Sequence, residues 1–365
     1  MKTTISKTEL SAAVNLVIKA TASRPSVPSL SGILLSAKEG ELTLFASDLE
    51  TSIKTRANGI IEEEGTVAVA GKILSNIVNA LPEAAVTLKT EGELLHITAG
   101  QSAFEIRTIN ASEFSSFPTI ISEQEITLPA DKLAAMVKKV SKSVSRDETR
   151  VVLTGILLTI NGPSIKMVAT DSFRLAISEQ ITEKAYDEPF EALIPGKALE
   201  EVARMAAGSE TITIAITQSQ ALFTFGDTAF ITRKLEGKFP NYQQLLPDSY
   251  TTKATTTHAE FLDSVRRVSL LALNNAAISV AISAADQTLT LSAKTQELGA
   301  AEESLLVKTE GDDNSISINY SYFIDGLTSI NSETVSLEIQ DPLRPGILRA
   351  PEENFIYLVM PVRSN

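Results

Sequence analysis

The sequence predicts an α+β protein of three tandem similar domains, each with two helices packed on antiparallel sheets. Three observations lead there: one block of sequence recurs three times, each copy opens with a strand-then-helix pattern, and most remaining segments alternate apolar and polar residues with a period of two. At 365 residues the chain exceeds one ordinary core and suits two or three domains of about 100–200 residues each.

Taken in order, the openings are TISKTELSAAVNLVIKATASR from Thr4, TLPADKLAAMVKKVSKSVSR from Thr127 and TTTHAEFLDSVRRVSLLA from Thr255. Ser6 with Glu9, and Thr257 with Glu260, fit the capping box, in which a hydroxyl and a carboxylate satisfy the orphan amides of a helix start. In the second opening, Leu133, Met136, Val137, Val140 and Val144 share one face at 100° per residue, which makes that face the core side. An inner strand and polar turn follow: LTLFASDLETSI at 42–53, IKMVATDSFRLAI at 165–177 and LTLSAKTQELGAAEE at 289–303, with Ala46, Ala169 and Ala293 spaced by 123 and 124 residues. The second helices follow Gly71, Gly196 and Tyr320, spaced by 125 and 124. Closing strands begin at Phe104, Phe230 and Phe355. The domains expected from this pattern are 1–121, 122–248 and 249–365. Each unit is long enough to hold its own core, unlike a solenoid repeat. Three similar domains in a row invite closure: a third domain meeting the first of another chain, head to tail, closes a ring when the rotation allows.

Composition removes most chemistry. With no Cys there is no disulfide, thiolate nucleophile or Cys-based metal site, and His96 and His258 are the only imidazoles. His96 lies in a strand-like run and His258 at a helix opening, so neither reads as catalytic; no cofactor or metal is expected. Asp48 and Asp171 sit in matching turns, and Asp171 precedes Arg174, so a carboxylate–guanidinium site is the enzymatic alternative. The third copy has Lys294 and Thr295 there, and a turn-capping Asp is the competing explanation. GTVAVAGKI from Gly65 has five residues between its glycines and Ile after Lys72, so it departs from the phosphate-loop pattern. The N-terminus MKTTISKTEL has no apolar core, and no apolar run is long enough to span a bilayer, so the cytoplasm is the expected compartment.

The formal charge is −13, from 32 Lys and Arg against 45 Asp and Glu, yet the basic residues are not evenly spread. Opposite the core face of the second opening helix, Lys132, Lys138, Lys139, Lys142 and Arg146 form a stripe, with Arg150 beyond it. A solvated helix face is the plain reading. Lys72, Lys197 and Arg204 repeat the bias in other helices, and acid collects elsewhere, at 62–64 and 310–313. That distribution suits a polyanion held by its phosphates alone. No zinc finger, basic zipper or ribonucleoprotein motif accompanies it, so contact without sequence preference is implied.

SRPSVPSLSGILL at 23–35, VATDSFRLA at 168–176, GKFPNYQQLLP at 237–247 and NFIYLVMPVR at 354–363 resemble the bacterial replicative sliding clamps, the beta subunits of DNA polymerase III. The resemblance covers the whole chain. It implies the DNA clamp fold in a head-to-tail homodimeric ring around duplex DNA, with no catalysis by this chain. The implied partners are a second copy, duplex DNA, the alpha subunit of the replicative polymerase, the delta subunit of the clamp loader and other proteins bearing a clamp-binding motif. A nucleoid-associated, cytoplasmic protein with no membrane contact follows.

The resemblance also implies a peptide-binding pocket. Its wall from the second domain is Leu153, Thr170, Ser172, Phe173, Arg174, Leu175, Pro240 and Leu245. The third domain supplies Asn319, Tyr322, Leu343, Pro345, Leu358, Val359, Met360, Pro361, Val362 and Arg363, with Arg174 and Arg363 serving the peptide's polar groups. Simple core strands are the competing reading for Leu175 and Val359. DNA contacts carried over are Arg24, Lys72, Lys138, Lys142, Arg146, Arg150, Lys197 and Arg204; where relatives carry aromatic or amide groups after Arg150, this chain has Val151 and Val152. The subunit contact is Phe104 with Leu270 and Leu271, and the charge partners are Lys72 or Arg107 against Glu297, Glu302 and Glu303. The alternative function is a repeat scaffold that binds peptide motifs without DNA.

Overall fold

The computed structural model describes residues 1–25, 27–121, 125–272, 276–295, 298–350 and 352–362, with the backbone alone at 184, 187 and 188. The first repeat contains β1 (Lys2–Ser6), α1 (Lys7–Val17), β2 (Gly32–Lys38), β3 (Glu41–Ser47), β4 (Thr51–Ala57), β5 (Gly59–Glu63), β6 (Gly65–Ala70), α2 (Gly71–Ala80), β7 (Ala85–Glu91), β8 (Leu94–Ala99) and β9 (Ser102–Ile109). In the second are β10 (Glu125–Pro129), α3 (Ala130–Val140), β11 (Gly155–Thr170), β12 (Arg174–Pro195), α4 (Gly196–Met205), β13 (Thr211–Ile216), β14 (Gln220–Phe225) and β15 (Thr228–Arg233). The third holds β16 (Thr252–Thr257), α5 (His258–Ser269), β17 (Ala277–Ser283), β18 (Thr288–Thr295), β19 (Gly299–Leu306), β20 (Lys308–Gly311), β21 (Asn314–Asn319), α6 (Tyr320–Leu327), β22 (Thr334–Ile339), β23 (Gly346–Arg349) and β24 (Phe355–Val359). Each repeat thus has the expected two helices. Gly65–Ala70 is a ladder strand paired with β2, which leaves no phosphate loop there.

Two compact units divide the chain: Met1–Asp131 with Glu201–Lys234, and Lys132–Glu200 with Leu235–Asn365. In the first unit a 13-stranded sheet runs β10-β13-β14-β15-β4-β3-β2-β6-β9-β8-β7-β1-β5. The second holds a seven-stranded sheet, β11-β12-β24-β23-β22-β16-β20, and a four-stranded one, β19-β18-β17-β21. The strands expected at 122–248 are shared between the units because ladder pairing continues across the repeats: β15 pairs with β4 of the first, and β12 with β24 of the third.

Helix faces follow the apolar period. Leu10, Val14 and Val17 of α1 and Leu74 and Val78 of α2 are buried, and α1 packs on β3, β4 and α2. In the second unit, Phe261 of α5 meets Phe323 of α6 edge to face at 5.4 Å, a geometry worth about 1 kcal/mol beyond area burial. The cap expected at Ser6 forms, its Oγ accepting the Glu9 amide at 3.2 Å. Thr257 makes no such bond; the neighbouring His258 amide donates to the Glu333 carbonyl at 2.9 Å and its Nε2 lies 2.8 Å from the Leu327 carbonyl.

The basic stripe is revised by where α3 stops. Leu133, Met136, Val137 and Val140 are buried as expected, but the α-helix ends at Val140 and a 3-10 turn takes Ser141–Ser143. Lys142 and Arg146 therefore leave the helix wheel. Lys139 turns inward to pair with Glu353 at 2.9 Å, its ammonium 5.6 Å from the centre of the Phe355 ring.

Candidate peptide pocket and charged surfaces

The inner strand of the second repeat ends in a tight turn, and its geometry answers the question raised by Asp171. The Asp171 Oδ1 accepts the amides of Phe173 and Arg174 at 2.9 and 3.1 Å, and the Asp48 Oδ1 accepts those of Glu50 and Thr51 at 3.0 and 2.7 Å. Both carboxylates are turn caps. Each turn carries a non-glycine residue in the left-handed region, Leu49 at φ 76° and Ser172 at φ 82°.

From this turn β12 enters the second unit's sheet with Arg174 opposite Val359 and Leu175 opposite Leu358. Beneath lies an apolar floor of Leu157, Val168, Leu175, Ile177, Leu193, Phe239, Ile347 and Leu358. Val152, Leu235, Tyr242, Leu246, Ile356 and Met360 pack on it, half-covered. Water reaches side chains in the segments that lead to it: Phe173 of the turn is 55% exposed, Leu245, next to Leu246, 43%, and Leu343, ahead of β23, 82%. Met360 is tied to the turn by its amide, which donates to the Phe173 carbonyl at 2.9 Å. Pro361 bridges Ile318, and the Val362 amide donates to the Ser317 carbonyl at 2.8 Å. Leu343 and Pro345 lead into β23, whose Gly346 faces Val359. Pro240 is exposed beside buried Phe239.

The expected wall residues differ in exposure. Leu153, Thr170, Leu175, Leu358 and Val359 are all buried, and Leu175 and Leu358 belong to the apolar floor. Asn319 caps α6, its Oδ1 accepting the amides of Ser321 and Tyr322. Tyr322 stacks with Phe173, ring centres 6.1 Å apart at 21°. Arg363, like Glu297 of the expected subunit contact, lies outside the described residues.

Arg174 is committed within the protein. Its Nε donates to Asp171 at 3.0 Å, its Nη1 to Asp325, and its guanidinium carbon lies 4.5 Å from the centre of the Tyr322 ring. Burial works against its charge, but the Asp325 and Asp171 carboxylates outweigh that and keep it protonated. Burial pushes the Tyr357 phenol well up, with Arg174 pulling the other way. The phenol stays protonated and donates to the Tyr322 carbonyl at 2.6 Å. Asp325 and Tyr357 were not expected: Arg174 and Asp325 are 151 residues apart, and no local pattern joins them.

The corresponding join in the first unit is built differently. There the Arg233 amide donates to the Glu50 carbonyl at 3.0 Å, the same bond that Met360 makes to Phe173. In place of an apolar pair stand two exposed charges, Arg233 Nη1 lying 3.7 Å from Glu50.

Among the expected DNA contacts, Arg24, Lys72, Lys138, Arg146, Lys197 and Arg204 are exposed. Lys197 lies 3.6 Å from Glu148, and Arg204 2.8 Å from Glu201. Arg146 and Lys197 line a cleft of 660 Å³ with Lys142, Glu148, Glu200 and the start of α4 at Gly196. Lys142 is half-buried and donates to Thr328 at 2.5 Å; burial, with Lys138 and Arg174 nearby, lowers its pKa against the pull of Asp325. Arg150 bonds to Asp147, Ser145, Ser172 and the Asp171 carbonyl.

At the expected subunit contact, Phe104 and Arg107 are exposed on β9 and Leu270 is 69% exposed at the end of α5, with Leu271 half-covered beside it. β9 pairs along its length with β8 but with β6 only through Thr108 and Ile109. β19 pairs with β18 alone. Along β19 Glu302 is exposed, whereas Glu303 is bound within the chain by Arg267 and by Ser264 at 2.6 Å, which lower its pKa to about 2.

A two-helix, antiparallel-sheet segment repeated three times, with a groove beside the last join, defines a protein of the clamp class. Residues 1–118, 127–241 and 243–363 match, in that order, the N-terminal, central and C-terminal domain families of the DNA polymerase III beta subunit. The chain belongs to the DNA polymerase III beta subunit family, the bacterial sliding clamps, which are non-catalytic processivity factors. It is 32% identical to the beta sliding clamp of Streptomyces coelicolor, over all of this chain and 99% of that one, and 30% identical to that of Bacillus subtilis over the full length of both. Among solved structures, the Bacillus subtilis DNA polymerase sliding clamp superposes with a TM-score of 0.95 at 28% identity, covering both chains fully. The Pseudomonas aeruginosa sliding clamp bound to griselimycin gives 0.94 at 26%, again over both chains. No helix among the described residues is long and apolar enough to cross a membrane.

Proposed function

We propose that two copies of this chain close head to tail around duplex DNA and tether the polymerase alpha subunit, the clamp loader delta subunit and other motif-bearing proteins through the groove of the second unit. The observation that supports the tethering role is Met360 packed on a buried floor and bonded to the Phe173 carbonyl, with exposed apolar Phe173, Leu245 and Leu343 on the adjoining segments. Exposed apolar groups gathered beside a rigid floor suit a short apolar peptide anchor, and methionine adapts to anchors of different shape. Pro345, Pro361 and Val362 extend the same rim.

Closure is supported by the strand edges. Ser102–Arg107 of β9 and all of β19 carry backbone groups paired on one side only among the described residues, and an open edge is a template for another chain. Phe104 and Leu270 supply exposed apolar anchors, and exposed Glu302 offers a charge to Arg107 or Lys72 of the other copy. Arg24, Lys72, Lys138, Arg146, Lys197 and Arg204 serve as interchangeable phosphate contacts. Retention on DNA is then topological, so the contacts themselves stay weak enough for sliding. Cytoplasmic, nucleoid-associated action follows.

The test is fluorescence anisotropy with a labelled Gln-x-x-Leu-Phe peptide. Wild type binds at micromolar concentrations, and Met360→Ala with Leu245→Ala weakens binding at least about tenfold, as expected for loss of central apolar anchors. Absence of binding by folded wild type, or binding indifferent to both changes, rejects the pocket.

A further inference from the structure

We infer that Arg150 is a positioning residue of the peptide pocket, holding the left-handed turn that aims Phe173 and Arg174; the inference rests on the pocket reading above. Ser172 sits at φ 82°, a conformation that an L-residue with a side chain adopts only when its surroundings impose it. Arg150 braces it from outside the turn. Its Nη1 donates to the Ser172 Oγ at 3.0 Å and its Nη2 to the Asp171 carbonyl at 3.3 Å. The guanidinium is itself aimed: Nε donates to Asp147 at 3.0 Å, and Asp147 is oriented by the Thr149 hydroxyl and amide at 2.6 and 3.1 Å. A planar fork with fixed donor directions suits this work, and a lysine cannot reproduce it.

The first repeat provides the comparison. Its turn has the same Asp cap, a matching hydroxyl bond from the Leu49 amide to Ser47, and the same left-handed residue, Leu49 at φ 76°, so the turn forms there without an arginine brace. When GILL at 32–35 is laid on GILL at 155–158, Val27 stands in the place of Arg150. The added brace occurs at the turn that carries the pocket; at the turn that carries Glu50 no guanidinium bonds Leu49 or the Asp48 carbonyl among the described residues. Since Nε, Nη1 and Nη2 all face protein acceptors, a phosphate that captured Arg150 would compete with the turn.

Two readouts test this on the full-length protein. Amide hydrogen exchange at Phe173 and Arg174, whose N–H groups the Asp171 cap receives, reports the turn itself without any peptide. Arg150→Gln speeds exchange there about tenfold by opening the turn, and Arg150→Lys behaves nearly the same. Peptide anisotropy reports the consequence: Arg150→Gln weakens binding about five- to twentyfold through lost preorganisation. In a Ser172→Gly background, where glycine takes the left-handed conformation without strain, the same change weakens binding less than about twofold. Unaltered exchange in Arg150→Gln overturns the proposal, and so does an equal loss of affinity in both backgrounds, which would mean that Arg150 touches the peptide directly. Failure of wild type to bind peptide rejects the pocket reading instead, and exchange still decides whether Arg150 holds the turn.

Discussion

Arg174 concentrates the electrostatics of the second unit. It joins the β12 turn to α6 through Asp171 and Asp325 and lies against Tyr322, while Tyr357 fastens the Tyr322 carbonyl from β24. Replacing it leaves a nearly buried Asp171 without its partner, which costs more than the pair contributes. Arg174→Ala is expected to lower stability by about 2–3 kcal/mol, read as a shift of the urea midpoint at unchanged slope. Tyr357→Phe removes one buried hydrogen bond and costs about 1 kcal/mol in the same measurement. At this scale the sequence was partly legible. Asp171 as a turn cap and the motifs carrying the family likeness all lie in local patterns. Leu175 and Val359 could not be sorted into wall or floor, because a strand buried on both faces loses the alternation that marks inside from outside. The roles of Lys139 and Lys142 were hidden for another reason: their partners, Glu353 and Thr328, come from the other end of the chain.

Among the elements, α6 depends on one small residue. A Cβ at Gly326 would stand 2.5 Å from two ring carbons of Tyr357 and 3.0 Å from Leu348, and Tyr357 is fully buried. Gly326→Ala therefore gains helix propensity but forces the ring to move, for a net loss of about 1–3 kcal/mol, measurable by thermal or urea unfolding. Gain of stability instead would mean that the ring has room. The link between α5 and β19 predicts a pH effect. Glu303 is held at about 2 by Arg267 and Ser264, below its unfolded value, so the unfolded chain binds more protons between the two. Its stabilisation is present above the ordinary carboxylate range near pH 4–5 and is lost as pH falls toward 2. Arg267→Gln should return the Glu303 carboxyl toward its ordinary pKa in an NMR titration and flatten that limb of the stability curve. Helix openings and strand alternation were legible because both follow from short-range periodicity. The register of the closing strands was not: Phe230 stands opposite Ile53 and Tyr357 opposite Ala176, so Phe230 corresponds to Tyr357 and not to Phe355. A shift of two residues keeps every side chain on its face, so the pattern alone cannot detect it.

For the whole molecule, the threefold repeat was readable from spacing, but the division into compact units was not, since it is set by which ladders the strands of the second repeat join. Assembly is the prediction at this scale. A charge at the centre of an apolar contact opposes burial, so Phe104→Asp is expected to yield folded monomers at concentrations where wild type sediments as a dimer. A variant that remains dimeric would place the contact elsewhere. The charged join at Glu50 and Arg233 bears on valency. Duplication of the fold brought with it a second copy of the turn and its backbone bond, but the exposed ion pair there offers an apolar anchor nothing to displace water from. A two-chain ring thus presents two seats for partners and not four, and any three of them must take turns.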